Sequence, residues 1–160
     1  TGLVLTGGGD HTARIWKVSG RRKLRKPRKL RHKLPVVSVA FSPDGRLALT
    51  GAGDFYTNGR VQLWEVSSGR KLRQLPYAQE VTSVAFSPDG RLAIVCDRYG
   101  RVCFYRGQEP ELGKLLGIYV APYEVGALHW RQPNQVVLAD KGGPTWRPHF
   151  YHLTLEGRWE

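Results

Sequence analysis

The chain has 160 residues, of which 41% are hydrophobic, so it can bury a core and lacks the composition of a disordered protein. Its net charge is +12, and no stretch approaches the roughly 18 apolar residues of a membrane helix. Two cysteines, Cys96 and Cys103, are too few for a disulfide framework. We interpret them as reduced, with one cross-strand disulfide as the alternative, and we expect a cytoplasmic protein without a membrane span.

The first elements predicted in chain order are two strands within residues 3–20, LVLTGGGDHTARIWKVSG. Residues 21–33, RRKLRKPRKLRHK, follow with nine lysines and arginines and no acid, whereas the rest of the chain has 16 basic and 13 acidic residues. We predict that this basic segment forms a turn and then an outer strand, because an edge strand tolerates a proline such as Pro27.

The next stretch predicts four antiparallel strands joined by short turns. The turn SPDG contains Pro43, Asp44 and Gly45, three residues that favour tight turns. The predicted strands are VVSVAF at 36–41, RLALTGAG at 46–53, RVQLWEV at 60–66 and KLRQL at 71–75.

An eleven-residue sequence, SVAFSPDGRLA, occupies residues 38–48 and returns unchanged at residues 83–93. Such a duplication indicates a repeated structural unit. Diverged strands of the same kind follow, and no amphipathic helix is predicted. We expect approximate units at 1–34, 35–79, 80–122 and 123–160, with three, four, four and three strands. One such unit cannot bury both faces of its sheet, whereas sheets stacked around an axis, as in a β-propeller, can.

The motifs TGGGDHTARIWKV, GRVQLWEV and the repeated SVAFSPDGRLA resemble those of WD-repeat propellers. The resemblance implies an all-β fold of about four four-stranded blades, the first and last incomplete. It also implies a hydrogen-bonded set of His, Thr or Ser, Asp and Trp that braces each blade. The matching residues are Thr6, Asp10 and Trp16 in the first unit, and His32, Thr50, Trp64 and either Asp54 or Asn58 in the second.

Propellers of this family usually have seven blades, so the resemblance leads us to expect the C-terminal part of a longer propeller. The first unit lacks the strand that would lie innermost. We expect the remaining blades to come from upstream sequence or from a second copy of the protein.

The function implied by the resemblance is a non-catalytic scaffold that binds protein partners, or the sensing part of a larger signalling protein. The loop DFYTN at residues 54–58 is longer than its counterparts and has two aromatic residues, which are enriched at interfaces. We predict a contact loop that uses Phe55, Tyr56 and Asn58, with a tolerated surface insertion as the alternative.

Features that suggest catalysis or cofactor binding have simpler structural interpretations. The glycine-rich residues 6–12 lack the GK[ST] of a phosphate-binding loop. His149 and His152 would point to opposite faces of a strand, and we interpret them and His129 as structural or surface residues rather than metal ligands. We expect no enzyme activity, cofactor or metal.

The basic segment supports a second hypothesis, association with nucleic acid or an anionic surface. No aromatic residues are interleaved in it, which argues against sequence-specific binding of RNA. The alternative is that charge on an edge strand prevents aggregation. The candidate anion-binding residues are Arg21, Arg22, Lys23, Arg25, Lys26, Arg28, Lys29, Arg31 and Lys33.

Overall fold

The structure is a computed structural model that describes residues 2–18, 26–54, 57–75, 79–132, 134–142 and 149–155, with only the backbone at residues 57 and 58. Within these ranges the chain forms β-strands and turns and no helix, which confirms the all-β prediction. Accordingly, none of the described residues belongs to a helix that could cross a membrane.

The strands form four antiparallel sheets, each with its strands in chain order. The first sheet contains β1 (Gly2–Gly8), β2 (Thr12–Val18) and β3 (Arg28–Arg31). The second contains β4 (Val36–Phe41), β5 (Leu47–Asp54), β6 (Thr57–Glu65) and β7 (Lys71–Leu75). The third contains β8 (Val81–Phe86), β9 (Leu92–Asp97), β10 (Arg101–Arg106) and β11 (Leu115–Val120). The fourth contains β12 (Val125–Gln132), β13 (Gln135–Asp140) and β14 (Phe150–Thr154). The boundaries of the sequence units stay a prediction.

Three hydrophobic cores lie between consecutive sheets. The core between the first and second sheets includes Ile15, Leu30 and Trp64. The core between the second and third sheets includes Leu63 and Tyr105, and a third core joins the third sheet to the fourth. Each sheet therefore buries a face against the next sheet in sequence, which is the stacking of propeller blades.

The cysteines lie on opposite faces of the third sheet. Cys96 is paired across strands with Val102, whereas Cys103 is paired with Val95. Cys96 faces the core shared with the fourth sheet, and Cys103 faces the core shared with the second. Both are buried free thiols, so the alternative of a cross-strand disulfide is wrong. Burial, with smaller effects of Asp97 and Cys103, raises the pKa of Cys96 to about 12.

The duplicated sequence forms the same turn twice. In the second sheet Ser42 Oγ donates to the Asp44 carboxylate (2.6 Å) and accepts a hydrogen bond from the Leu47 amide (2.9 Å). Ser87 makes the same pair of contacts in the third sheet, at 2.6 and 2.9 Å. The glycine of each turn has a positive φ, 68° and 72°, which explains why both copies keep glycine there.

Polar contacts and glycines bring the first strands of consecutive sheets together. The Val84 amide of β8 donates to Ser38 Oγ of β4 (3.0 Å). Thr82 Oγ1 of β8 donates to the carbonyl of Val125 in β12 (3.0 Å). A Cβ on Gly51 would lie 2.5 Å from Cγ1 of Val81, so the Val81 side chain of β8 packs closely against β5 only because residue 51 is glycine.

We predict that Gly51→Ala lowers the free energy of unfolding by about 1–3 kcal/mol, because the new methyl group overpacks the contact with Val81. Urea unfolding measures the change. Gly117→Ala is the matched control, since a Cβ on Gly117 has no neighbour within 4 Å. Equal stability of the two variants would contradict close packing at residue 51.

Candidate functional site

The first and second sheets each contain a hydrogen bond between a tryptophan and a threonine. Trp16 Nε1 donates to Thr6 Oγ1 (3.0 Å), and Trp64 Nε1 donates to Thr50 Oγ1 (2.9 Å). Trp64 is buried between the first and second sheets, whereas Trp16 is only partly buried. Two members of the predicted bracing set are therefore hydrogen-bonded to each other in each sheet.

His32 contacts the tryptophan of this set through its ring. The ring centroids of His32 and Trp64 are 5.2 Å apart, at an interplanar angle of 60°. Both ring nitrogens of His32 are buried without a hydrogen-bond partner among the described residues. Burial, with a smaller effect of the positive charge of Lys71, lowers the pKa of His32 to about 4, so the ring is neutral at pH 7.

Of the two aspartates of the predicted set, Asp10 lies in the β1–β2 turn and Asp54 lies at the end of β5. Asp10 accepts hydrogen bonds from Thr12 Oγ1 (2.8 Å) and from Arg14, both at the start of β2. Asp54 is the last residue of β5 and pairs through its backbone with Thr57. The bracing role of the seven residues Thr6, Asp10, Trp16, His32, Thr50, Asp54 and Trp64 stays a prediction.

We predict that Trp64→Ala lowers the free energy of unfolding by about 3–5 kcal/mol, because it leaves a cavity and removes the donor to Thr50. Trp16→Ala removes an equivalent hydrogen bond from a less buried ring and should cost less. Thermal and urea unfolding compare the two. A Trp64→Ala variant that melts like the wild type would show that the ring does not stabilise the core.

A second polar cluster, which the sequence did not predict, joins β13 to β14. The Asp140 carboxylate is 0% exposed and accepts a hydrogen bond from the Tyr151 hydroxyl (2.7 Å). It also accepts from the backbone amides of Gly142 (2.8 Å) and His149 (2.9 Å), and His149 Nδ1 lies 3.2 Å from its Oδ2. The His149 ring stacks on Tyr123, with centroids 5.7 Å apart.

This cluster stabilises an ionised carboxylate inside the fourth sheet. Burial by itself raises the pKa of Asp140, but the hydrogen bonds from His149, Tyr151 and Gly142 outweigh it and lower the pKa to about 2. His149 therefore has a structural contact, as the sequence predicted. The sequence signal was weak, because nine residues separate the aspartate from the histidine.

We predict that the stabilisation due to Asp140 is present above about pH 4 and is lost as the pH falls towards 2, because its pKa is lower in the folded than in the unfolded protein. Asp140→Asn should lower the melting temperature at pH 7, and the difference from the wild type should shrink between pH 4 and pH 2.5. Thermal melts across this range measure it. A difference that does not change with pH would contradict the prediction.

The predicted contact loop is the end of an extended hairpin. β5 and β6 have 8 and 9 residues, whereas β9 and β10 of the next sheet have 6 each. Strand pairing continues to Asp54 and Thr57, so the extra residues lengthen the hairpin instead of forming a five-residue loop. Phe55 and Tyr56 lie outside the described residues, as does the side chain of Asn58.

A glycine fixes the position of this hairpin. The Gly59 amide donates to the carbonyl of Gln79 (2.9 Å), just before β8. A Cβ on Gly59 would lie 1.9 Å from that carbonyl oxygen, so no larger residue fits without a backbone shift. The hairpin is thereby held against the start of the third sheet.

The described part of the basic segment includes the predicted outer strand, β3. Arg28 donates to the carbonyls of Val66 (2.6 Å) and Ser67, in the β6–β7 turn of the second sheet. Leu30 is fully buried, whereas Lys29 and Arg31 on either side of it are exposed. Lys26 and Lys33 are also exposed, and the other four candidate cations, Arg21, Arg22, Lys23 and Arg25, lie outside the described residues.

A cavity of about 600 Å³ opens between the second and third sheets, at the opposite end of the strands from the extended hairpin. Its lining includes Leu47, Leu72 and Leu112, together with the charged residues Arg46 and Glu65. Among the described residues no group of three or more His, Cys, Asp or Glu side chains could hold a metal ion.

Comparison with known families agrees with this geometry. The family model described as WD domain, G-beta repeat matches residues 25–65 and 69–106. Each matched stretch begins at or just before the outer strand of one sheet and ends in the third strand of the next, so it spans one contact between sheets. No curated protein matches the chain.

Proposed function

Because the chain belongs to the WD-repeat family, whose repeats generally act in protein interaction, we propose that it is a non-catalytic scaffold that binds a partner through the β5–β6 hairpin. In its finer form, the proposal is that the chain lies in the cytoplasm and is the sensing part of a larger signalling protein. That form rests on the family resemblance alone.

The single observation that supports the hairpin as the contact surface is its length together with its anchoring. Strand pairing up to Asp54 and Thr57 extends it beyond the corresponding hairpin of the third sheet. The Gly59 contact with Gln79 fixes its base. Strands that are already ordered on both sides of residues 55 and 56 lose little entropy on binding, and Phe55 and Tyr56 are of the residue types enriched at interfaces.

We predict that Phe55→Ala combined with Tyr56→Ala abolishes capture of the partner and weakens its direct binding at least about tenfold, since interface aromatics often contribute more than 1 kcal/mol each. Quantitative affinity purification identifies the partner, and calorimetry with purified proteins measures Kd. Tyr99→Ala is the matched control, because Tyr99 is an exposed aromatic (62%) in the equivalent β9–β10 turn. Loss of binding in the control alone would refute the assignment to the β5–β6 hairpin.

The described part of the basic segment supports a second candidate function, binding of nucleic acid. Lys29 and Arg31 are exposed on a strand that Leu30 and Arg28 attach to the rest of the fold. Residues 26–33 form no salt bridge with any of the acidic residues that the structure describes. Unpaired cations on a fixed strand are available to phosphates.

We predict that the wild-type protein binds a DNA duplex at low salt and that its affinity falls steeply as salt is raised. Neutralising four cations, in the variant Arg21→Gln, Arg22→Gln, Lys23→Gln and Arg25→Gln, should weaken binding and flatten the salt dependence. Filter binding in a KCl series measures both. A wild-type protein that does not bind at low salt would eliminate this candidate.

A further inference from the structure

We propose that the nucleic-acid-binding surface extends beyond the basic segment onto the second sheet, where Lys71 contacts the phosphodiester backbone together with the cations of β3. This inference rests on the second candidate function. We call this surface the cationic rim, and it consists of Lys26, Arg28, Lys29, Arg31, Lys33 and Lys71.

Strand pairing directs Lys71 towards the first sheet. Lys71 is the first residue of β7 and is exposed. It is paired across strands with Trp64, which packs into the core between the first and second sheets. Paired residues project from the same face of a sheet, so Lys71 extends on the side of β3. The charge of Lys71 contributes to the lowered pKa of His32, the residue that directly follows β3. This effect agrees with a position of Lys71 beside β3.

Arg28 joins the two parts of the rim. Its guanidinium donates to the carbonyls of Val66 and Ser67, and its side chain lies where a Cβ on Gly69 would be, 2.5 Å from its Cδ. Residues 66–69 form the turn that leads directly into Lys71. The start of β7 is therefore held beside the outer strand of the first sheet, with Arg28 and Lys71 between the two sheets. Lys29 and Arg31 alternate with the buried Leu30, so they extend from the other face of that strand, along the same outer edge.

The composition of the rim favours a phosphodiester backbone over a lipid surface. The large apolar side chain of β3, Leu30, is 0% exposed, so this strand presents no apolar anchor beside the cations of the rim. No aromatic residue belongs to it, so stacking on bases contributes nothing. Charge without stacking or insertion fits sequence-independent contact with the backbone of a duplex.

The rim ends at the third sheet. Arg73 of β7 is paired across strands with Leu63, which faces the core shared with the third sheet. Its guanidinium lies 4.0 Å from the Glu109 carboxylate. Glu111 in the same turn pairs with Arg106 and Lys114. These carboxylates would repel a phosphate backbone, which is why Arg73 is not part of the rim.

The test is fluorescence anisotropy of the full chain with a fluorescein-labelled 20-base-pair duplex of arbitrary sequence, between 25 and 200 mM KCl. Lys71→Gln should weaken binding and reduce the slope of log K against log salt by about 0.9, the value expected for one lost phosphate contact. Arg91→Gln is the matched control, because Arg91 is an exposed cation in the β8–β9 turn, outside the rim. Its slope should equal that of the wild type, and both variants should keep the wild-type melting temperature.

Four outcomes would overturn the inference, each in a different way. If Lys71→Gln binds like the wild type while the variant neutralised at residues 21–25 loses binding, the basic segment acts alone and the second candidate function stands. If Arg91→Gln weakens binding as much as Lys71→Gln, only net charge matters. If the wild type binds vesicles of phosphatidylserine and phosphatidylcholine but not the duplex, the ligand is a lipid surface. If it binds neither, the second candidate function fails as well.

Discussion

Burial of side chains between facing sheets is the interaction on which the rest of the structure depends. Both faces of the second and third sheets contribute to a hydrophobic core, and all six residues of β9 are buried. Hydrophobic burial of this kind requires the sheets to approach closely, and Gly51 makes that approach possible beside Val81. The polar contacts of Ser38 and Thr82 then fix how one sheet lies on the next.

Both candidate surfaces depend on that packing. The β5–β6 hairpin keeps its direction because Gly59 contacts the residue that leads into the third sheet. Arg28 holds β3 against the β6–β7 turn, so the outer strand of the first sheet lies beside the start of β7. In each case a backbone or side-chain contact between neighbouring sheets positions groups that are far apart in sequence.

The sequence predicted the all-β fold and most strands because their signals are local. The SPDG turns use the serine, aspartate and glycine contacts that such a turn requires, and KLRQL is a strand at the predicted residues. β11, with the sequence LLGIYV, was not located by its residues, because the unit there has diverged from the other copies.

The parts of the candidate site that the sequence did not reveal depend on contacts across loops or sheets. Asp140 meets His149 and Tyr151 only after the chain has turned back. The position of Lys71 beside the first sheet follows from a register that includes a bulge next to Trp64. The length of the extended hairpin was visible in the sequence, but its pairing up to Asp54 was not, since a loop and a longer hairpin have similar compositions.

The stacking order has a consequence for how the fold loses its structure. Within the described residues, the second and third sheets share a core with two neighbours, whereas the first and fourth share a core with one. In such a nearest-neighbour system a sheet that packs on one neighbour opens more readily than a sheet that packs on two. Amide protons of β9 and β10 should therefore exchange with solvent through rarer openings than those of β2 or β13. The proposed cationic rim at β3 then lies on a sheet with one packed neighbour among the described residues, and the sheet beside it has two.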